Sequence, residues 1–177
     1  MLTHRTLLSA TAIAARVDEL ARLLQRDLPV ADPVVVGLLT GSFVFVADLV
    51  RAAARTGLEP FVDFLAVSHY GASTHAREAA AIQKDISIDI RDRSVLLVDD
   101  IVDSGVTLQA ARNHLLARGP RWLRTCVLLD KAARRSVDIA VDYVGFRIPD
   151  VWVIGYGLDA RGVGRCLPYV GAVEGDA

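Results

Sequence analysis

The stretch from Val95 to Thr107 reads VLLVDDIVDSGVT. An unbroken apolar run meets two adjacent carboxylates, Asp99 and Asp100. A third, Asp103, follows and leads into Ser104-Gly105. Val95 to Val98 has the character of a short, fully buried strand. Val106 to Ala117 has helical spacing, with Leu108, Ala111, Leu115 and Leu116 on an inward face and Gly119-Pro120 as the stop. A strand that feeds a helix through a turn of small residues is half of a strand–helix–strand unit, so this stretch sets the fold class.

The flanks repeat the alternation. Ile13, Val17, Leu20 and Leu24 recur at helical spacing behind Ser9, a candidate N-cap. PVVVGLL (Pro33 to Leu39) and PFVDFLAVS (Pro60 to Ser68) read as strands. Between them Phe43, Val46, Ala47 and Val50 mark a helix that ends near Gly57. WLRTCVLLD (Trp122 to Asp130) is a further strand, and DYVGF and VWVIGYG supply two short ones. HYGASTHAREAAAIQKD, from His69 to Asp85, has no periodicity and reads as a long loop. Loops of that length in compact domains are commonly lids or binding loops. The pattern predicts an α/β fold, a mainly parallel sheet flanked by helices, with residues 1–177 as a single domain. Ligands on such sheets sit beyond the carboxyl ends of the strands.

Composition narrows the functions. The chain has 177 residues, 53% of them apolar, enough for one well-buried core. Its 20 basic and 21 acidic residues leave a net charge of −1, which gives no bulk attraction to nucleic acid or anionic membrane. No apolar run approaches membrane-spanning length. MLTHRTLLSATAIAA runs into Arg16, Asp18 and Glu19 and reads as an amphipathic helix, not a targeting segment. Cys126 and Cys166 show neither metal-ligand spacing nor a disulfide framework, which fits a reducing cytosol.

The acidic turn carries the chemistry. The first N–H groups of a helix have no internal partners and bear the positive end of its dipole. Gly105 permits close backbone approach at Val106, and the Ser104 and Thr107 hydroxyls add donors, so the turn makes a phosphate cradle. The Walker and dinucleotide glycine patterns are both absent. Carboxylates repel phosphate, so Asp99 and Asp100 must face something else: the vicinal hydroxyls of a ribose, or a divalent metal. A ribose 5-phosphate satisfies the whole turn. The plain alternative is a solvated acidic turn capped by Ser104.

VLLVDDIVDSGVT resembles the phosphoribosyl-pyrophosphate (PRPP) motif of type I phosphoribosyltransferases. GLLTGSFVFVADLVR (Gly37 to Arg51), VSHYG (Val67 to Gly71), LLDK ending at Lys131, VGFRIPD (Val144 to Asp150) and VIGYGLD (Val153 to Asp159) resemble the hypoxanthine-guanine branch, in that family's order. The resemblance covers nearly the whole chain. It implies the type I fold, with a small hood built from N- and C-terminal segments. It implies transfer of 5-phosphoribosyl from PRPP to N9 of hypoxanthine or guanine, with release of pyrophosphate. Asp103 is then the general base at the purine N7. Asp99, Asp100 and the turn Ser104, Gly105, Val106 and Thr107 bind ribose and its phosphate. Thr40, Gly41 and Arg165 face pyrophosphate. Lys131 meets the purine O6, Trp152 stacks on the ring, Val153 reads its edge, and Asp159 stands beside it. Mg²⁺ comes in with PRPP on the side of Asp99, Asp100 and Asp159. His69 and Tyr70 open a lid over about residues 69–85.

The family also implies a cytoplasmic homodimer or homotetramer and a cis peptide at Leu39–Thr40. The chain departs from the family in three places. Thr40 stands where Lys or Arg is frequent, His69 where Ser is common, and Asp99 where Glu is usual. Each role has a plain counterpart: a helix-capping Asp103, an exposed Lys131 beside Asp130, a core Trp152 and a surface Arg165. Two other functions compete. One is a sibling enzyme that prefers xanthine, adenine or a pyrimidine. The other is a PRPP-sensing regulator that binds RNA or DNA, against which the balanced charge and the lack of a spare module argue.

Overall fold

Ser9 does cap the first helix, its Oγ accepting from the Ala12 N–H at 3.2 Å. A computed structural model describes residues 3–28, 32–69 and 80–174. The elements are β1 (His4–Leu8), α1 (Ala10–Asp27), β2 (Val34–Leu39), α2 (Phe43–Arg55), β3 (Phe61–His69), β4 (Ala80–Lys84), β5 (Ser94–Val102), α3 (Val106–Leu116), β6 (Trp122–Asp130), β7 (Tyr143–Arg147), β8 (Val153–Ile154) and β9 (Val170–Val173). Six strands form the main sheet in the order β4-β3-β2-β5-β6-β7. Only β4 runs antiparallel to its neighbour.

The continuous apolar run of β5 is explained by a sheet covered on both faces. Leu96 and Val98 pack with α1 and α2, against Ile13, Leu20, Leu24, Phe45 and Leu49. Val95 and Leu97 point the other way, into a core with Leu65, Leu108 and Leu115. Strand β7 lies at the sheet edge, where carbonyls lack strand partners. Arg16 of α1 covers two of them, donating to Val144 O at 2.7 Å and Gly145 O at 2.9 Å.

A second sheet, ordered β1-β9-β8, is the hood. His4 pairs with Val173 and Val153 with Ala172, so the two ends of the chain meet. Neither β1 nor β9 follows from periodicity; the hood was expected only from the family resemblance.

Three local expectations need correction. Strand β5 does not stop at Val98 but runs on to Val102, with Asp99 opposite Val127 and Ile101 opposite Leu129 on β6. Asp99 and Asp100 are therefore strand residues, and the turn begins only at Asp103. Part of the expected loop is a strand: β4 pairs with β3, Ala81 opposite Ser68 and Ile82 opposite Val67. Leu116 is exposed and does not join the inward face of α3. Tyr70 and most of the expected lid lie outside the described residues.

Hood and sheet meet at two glycines. Gly157 has φ +100°, and a Cβ there would sit 2.1 Å from the Gly41 carbonyl oxygen. Gly157→Ala therefore combines a left-handed backbone with a steric clash. It should cost about 1–3 kcal/mol from the backbone alone, read as a lower urea midpoint. An unchanged midpoint would contradict this packing.

Candidate active site

Four strand ends converge on one edge of the main sheet, and each delivers one part of the site. Strand β2 ends in the Leu39–Thr40 peptide, which is cis. Ser42 begins the next turn, its buried Oγ donating to Leu38 O at 2.5 Å. Strand β5 delivers Asp99, Asp100 and then Asp103, and β6 delivers Lys131, whose N–H donates to Val102 O at 3.0 Å. Strand β3 ends at His69, of which only the backbone is described.

A cavity of about 620 Å³ opens above this edge, lined by Gly41, Asp99, Asp100, Asp103, the start of α3, Arg134 and Trp152. Helix α3 starts at Gly105, with φ +88° and no side-chain cap. A Cβ at Gly105 would meet Ile139, Arg135 and Val137 at 2.9–3.0 Å, so glycine is needed for space as well as for φ. Ser104 Oγ accepts from the Val106 N–H at 3.4 Å. Ser104, Gly105 and Thr107 all line the cavity, which places the anion-attracting helix end inside it.

The two strand acids are electrostatically costly. Burial drives the Asp99 carboxyl well above the ordinary carboxylate range, and the neighbouring Asp100 charge adds to the rise. Burial also raises Asp100, against the opposing effects of the Ile101 N–H and the Arg165 charge. A Cβ on Gly41 would fall 1.7 Å from Asp100 Oδ2, so the turn after β2 wraps the carboxylate directly.

Around Asp103 the plain alternatives fail. Asp103 does not cap α3, and its Oδ1 is buried without a hydrogen bond among the described residues. Lys131 is not a surface lysine: it is 3% exposed, its Nζ 3.8 Å from Asp103 Oδ2 and 3.7 Å from Asp150 Oδ1. Trp152 is not core but 53% exposed, its ring 5.7 Å from Lys131 Nζ. An exposed indole thus stands beside a buried ammonium, which in turn lies next to a carboxylate with one oxygen free of hydrogen bonds among the described residues.

The remaining predicted residues sit apart from this centre. Val153 is buried in the hood. Asp159 accepts from the Gly162 N–H at 2.7 Å and pairs with Arg165 at 2.6 Å. Arg165 also donates to Gly157 O at 2.7 Å and lines a neighbouring cavity with Tyr156 and Asp48. Thr40 is exposed. Among the described residues no three His, Cys, Asp or Glu side chains form a metal cluster, so Asp99, Asp100 and Asp159 do not make a closed cage.

Arg134 and Asp150 belong to the site and were missed in the sequence. Arg134 Nε lies 3.7 Å from Asp103 Oδ1 and 3.7 Å from Asp150 Oδ1. One signal could have found it. Residues 132–134 form a single 3₁₀ turn behind Lys131, and residues three apart in such a turn eclipse.

A parallel sheet with a hood, an anion cradle at a helix start and paired acids at the preceding strand end define a phosphoribosyl-handling transferase. The comparisons agree: the chain belongs to the phosphoribosyl transferase domain family, whose model matches residues 4–161. It is 46% identical to the hypoxanthine-guanine phosphoribosyltransferase of Aquifex aeolicus, over 96% of this chain and 94% of the relative. It superposes on the Bacillus anthracis hypoxanthine-guanine phosphoribosyltransferase with a TM-score of 0.89 at 37% identity, covering 98% of this chain and 99% of that one. The Trypanosoma cruzi hypoxanthine phosphoribosyltransferase, solved in complex with its product IMP, gives a TM-score of 0.89 at 33% identity, covering 98% of this chain and 95% of that one.

The acids make a prediction about stability. A carboxyl whose folded value lies above its unfolded value supports the fold in acid and withdraws that support as pH rises through the folded value. Ionised Asp99 is therefore a burden at neutral pH, and Asp99→Asn should raise Tm. A gain of roughly 2–4 °C is what about 1 kcal/mol gives in a chain of this size. The gain should shrink toward about pH 4. Calorimetry of both proteins across that range checks it, and a lower Tm for the variant at neutral pH contradicts it.

Proposed function

We propose that the protein, acting as a single phosphoribosyltransferase domain, moves the 5-phosphoribosyl group of PRPP to N9 of hypoxanthine or guanine in purine salvage. The products are IMP or GMP and pyrophosphate. One observation carries this reading: the buried Lys131 ammonium lies beside the part-exposed Asp103 carboxylate and the exposed Trp152 ring, and both of those residues line the cavity at the start of α3.

Cleaving the anomeric C–O bond leaves a cationic, oxocarbenium-like sugar and a highly charged leaving group. The N–H groups of Ser104 to Thr107 hold the 5-phosphate. Asp99 and Asp100 accept from the ribose hydroxyls. The purine stacks on Trp152, with its edge read by the backbone of Val153 and Asp159 beside it. Lys131 donates to O6, which disfavours adenine, whose 6-amino group is itself a donor. A polar group left unpaired at a well-built site gives discrimination on the order of 10⁴. Asp103 accepts the N7 proton as N9 attacks, through the oxygen that has no hydrogen bond among the described residues. Gly41 N–H, Thr40 and Arg165 meet pyrophosphate, and the segment of about 69–85, with His69 and Tyr70, excludes water.

Two hard carboxylates at a strand end, without a closed cage, fit Mg²⁺ that shares its shell with substrate phosphates and waters. Asp99 and Asp100 would hold it, with Asp159 contributing from the hood. Bound magnesium would neutralise charge on the departing pyrophosphate. Among the described residues no helix is long and apolar enough to cross a membrane. The reading places the enzyme in the cytoplasm as a homodimer or homotetramer.

The deciding experiment is incubation with PRPP, Mg²⁺ and each of hypoxanthine, guanine and xanthine, following nucleotide formation. No turnover, together with salt-sensitive RNA binding, would favour the regulator instead. Asp103→Asn should bind both substrates and lose about 10²–10⁴-fold in kcat, the usual worth of a general base. Near-parental kcat would remove Asp103 from that role. Thr40→Lys should lower the KM for PRPP and tighten inhibition by pyrophosphate, with the purine KM unchanged, since both ligands present the same group. A charge-assisted contact is worth roughly 1.5–3 kcal/mol, less the cost of ordering the Lys side chain. Equal pyrophosphate inhibition constants would place residue 40 away from the leaving group.

A further inference from the structure

Lys131 faces a conflict in the reading above. Its ammonium is to donate to the purine, yet it is also a counterion of Asp103. Lys131 and Arg134 each lie within ion-pair range of both Asp103 and Asp150, at 3.7–3.8 Å. Two cations and two acids therefore alternate around a ring. None of the four contacts is short enough for a hydrogen bond, so they are Coulombic and leave the donors uncommitted. Arg134 is the member of this ring whose charge is fixed at every working pH. It also lines the cavity beside Asp103 and Trp152.

We propose that Arg134 is a positioning residue for the transfer. It serves as the standing counterion of Asp103 and shares Asp150 with Lys131, so the ammonium can turn to the purine carbonyl without leaving either acid alone. This inference rests on the base role of Asp103. When the purine arrives, Lys131 turns from the acids to O6. Without Arg134, Asp103 would then face the cavity with no cation, and Asp150 would hold Lys131 back. Arg134 is half-exposed, and replacement by Gln keeps a donor near the buried Asp103 Oδ1, so the change should not disturb folding.

The test is a double-mutant cycle on kcat. Arg134→Gln should lower kcat roughly ten-fold, within the range that neighbouring charges show. The KM for PRPP and the Tm should stay at parental values. In an Asp103→Asn background the same change should cost less than about two-fold, because a neutral amide needs no counterion. Arg134→Lys should recover most of the loss. Parental kcat in Arg134→Gln, or an equal loss in both backgrounds, would overturn the proposal. Parental kcat in Asp103→Asn alone would instead overturn the base role, and the proposal with it.

Discussion

The backbone of Gly41 is the piece on which the rest of the site depends. On one side it meets the carboxylate of Asp100, where a Cβ would stand 1.7 Å from Oδ2. On the other its carbonyl oxygen fills the place of a Gly157 side chain. Three segments far apart in sequence thereby meet across two missing side chains: the end of β2, the end of β5 and the hood. Ser42 secures the turn by bonding back to Leu38. Neither glycine position could take even a methyl group without parting the hood from the acids. Close backbone approach here sets the distance between the paired acids and the hood.

The same wrapping explains the electrostatic state of the acids. Asp100 is partly covered by the turn and Asp99 is buried at the end of its strand, so each carboxyl rises above its ordinary range. Such a pair gains from hydroxyl donors or a cation, which only the ligands bring. The chain holds a local arrangement that is unfavourable when alone and favourable when loaded. The base centre is built differently: Asp103, Lys131, Arg134 and Asp150 offset one another's charge at ion-pair distances. The site thus has one half, around Asp99 and Asp100, with uncompensated acids, and another, around Asp103, whose charges are balanced.

Much of this was legible in the sequence because the covered sheet imposes strong patterns. Apolar runs marked β2, β5 and β6, and 3.6-residue spacing marked α1 and α2. The acidic motif pointed to a phosphorylated sugar or a metal, since paired acids beside an anion cradle suit few other ligands. What failed has physical reasons. Asp99 and Asp100 look like the end of a strand, yet pairing with Val127 and Leu129 carries β5 past them. Strand β4 is short and small-residued, and it exists because β3 offers it an edge. The strands β1 and β9 are defined by each other, across the length of the chain. Arg134 sits in AARR, which reads as surface charge until one turn of 3₁₀ helix brings it round to Asp103.

The hood has a consequence for when the protein becomes active during its synthesis. β9 is the middle strand of that sheet, between β1 and β8. Among the described strands it is also the last to be synthesised. The main sheet can form from earlier segments, whose contacts are closer in sequence and cost less to close. The hood strand β8, which continues directly from Trp152, has no partner until Val170 to Val173 emerge. A nascent chain lacking them would hold the sheet with its acids and the start of α3, and no paired hood. Completion of the hood is thus set by the order in which the described strands are made, and it comes after the main sheet.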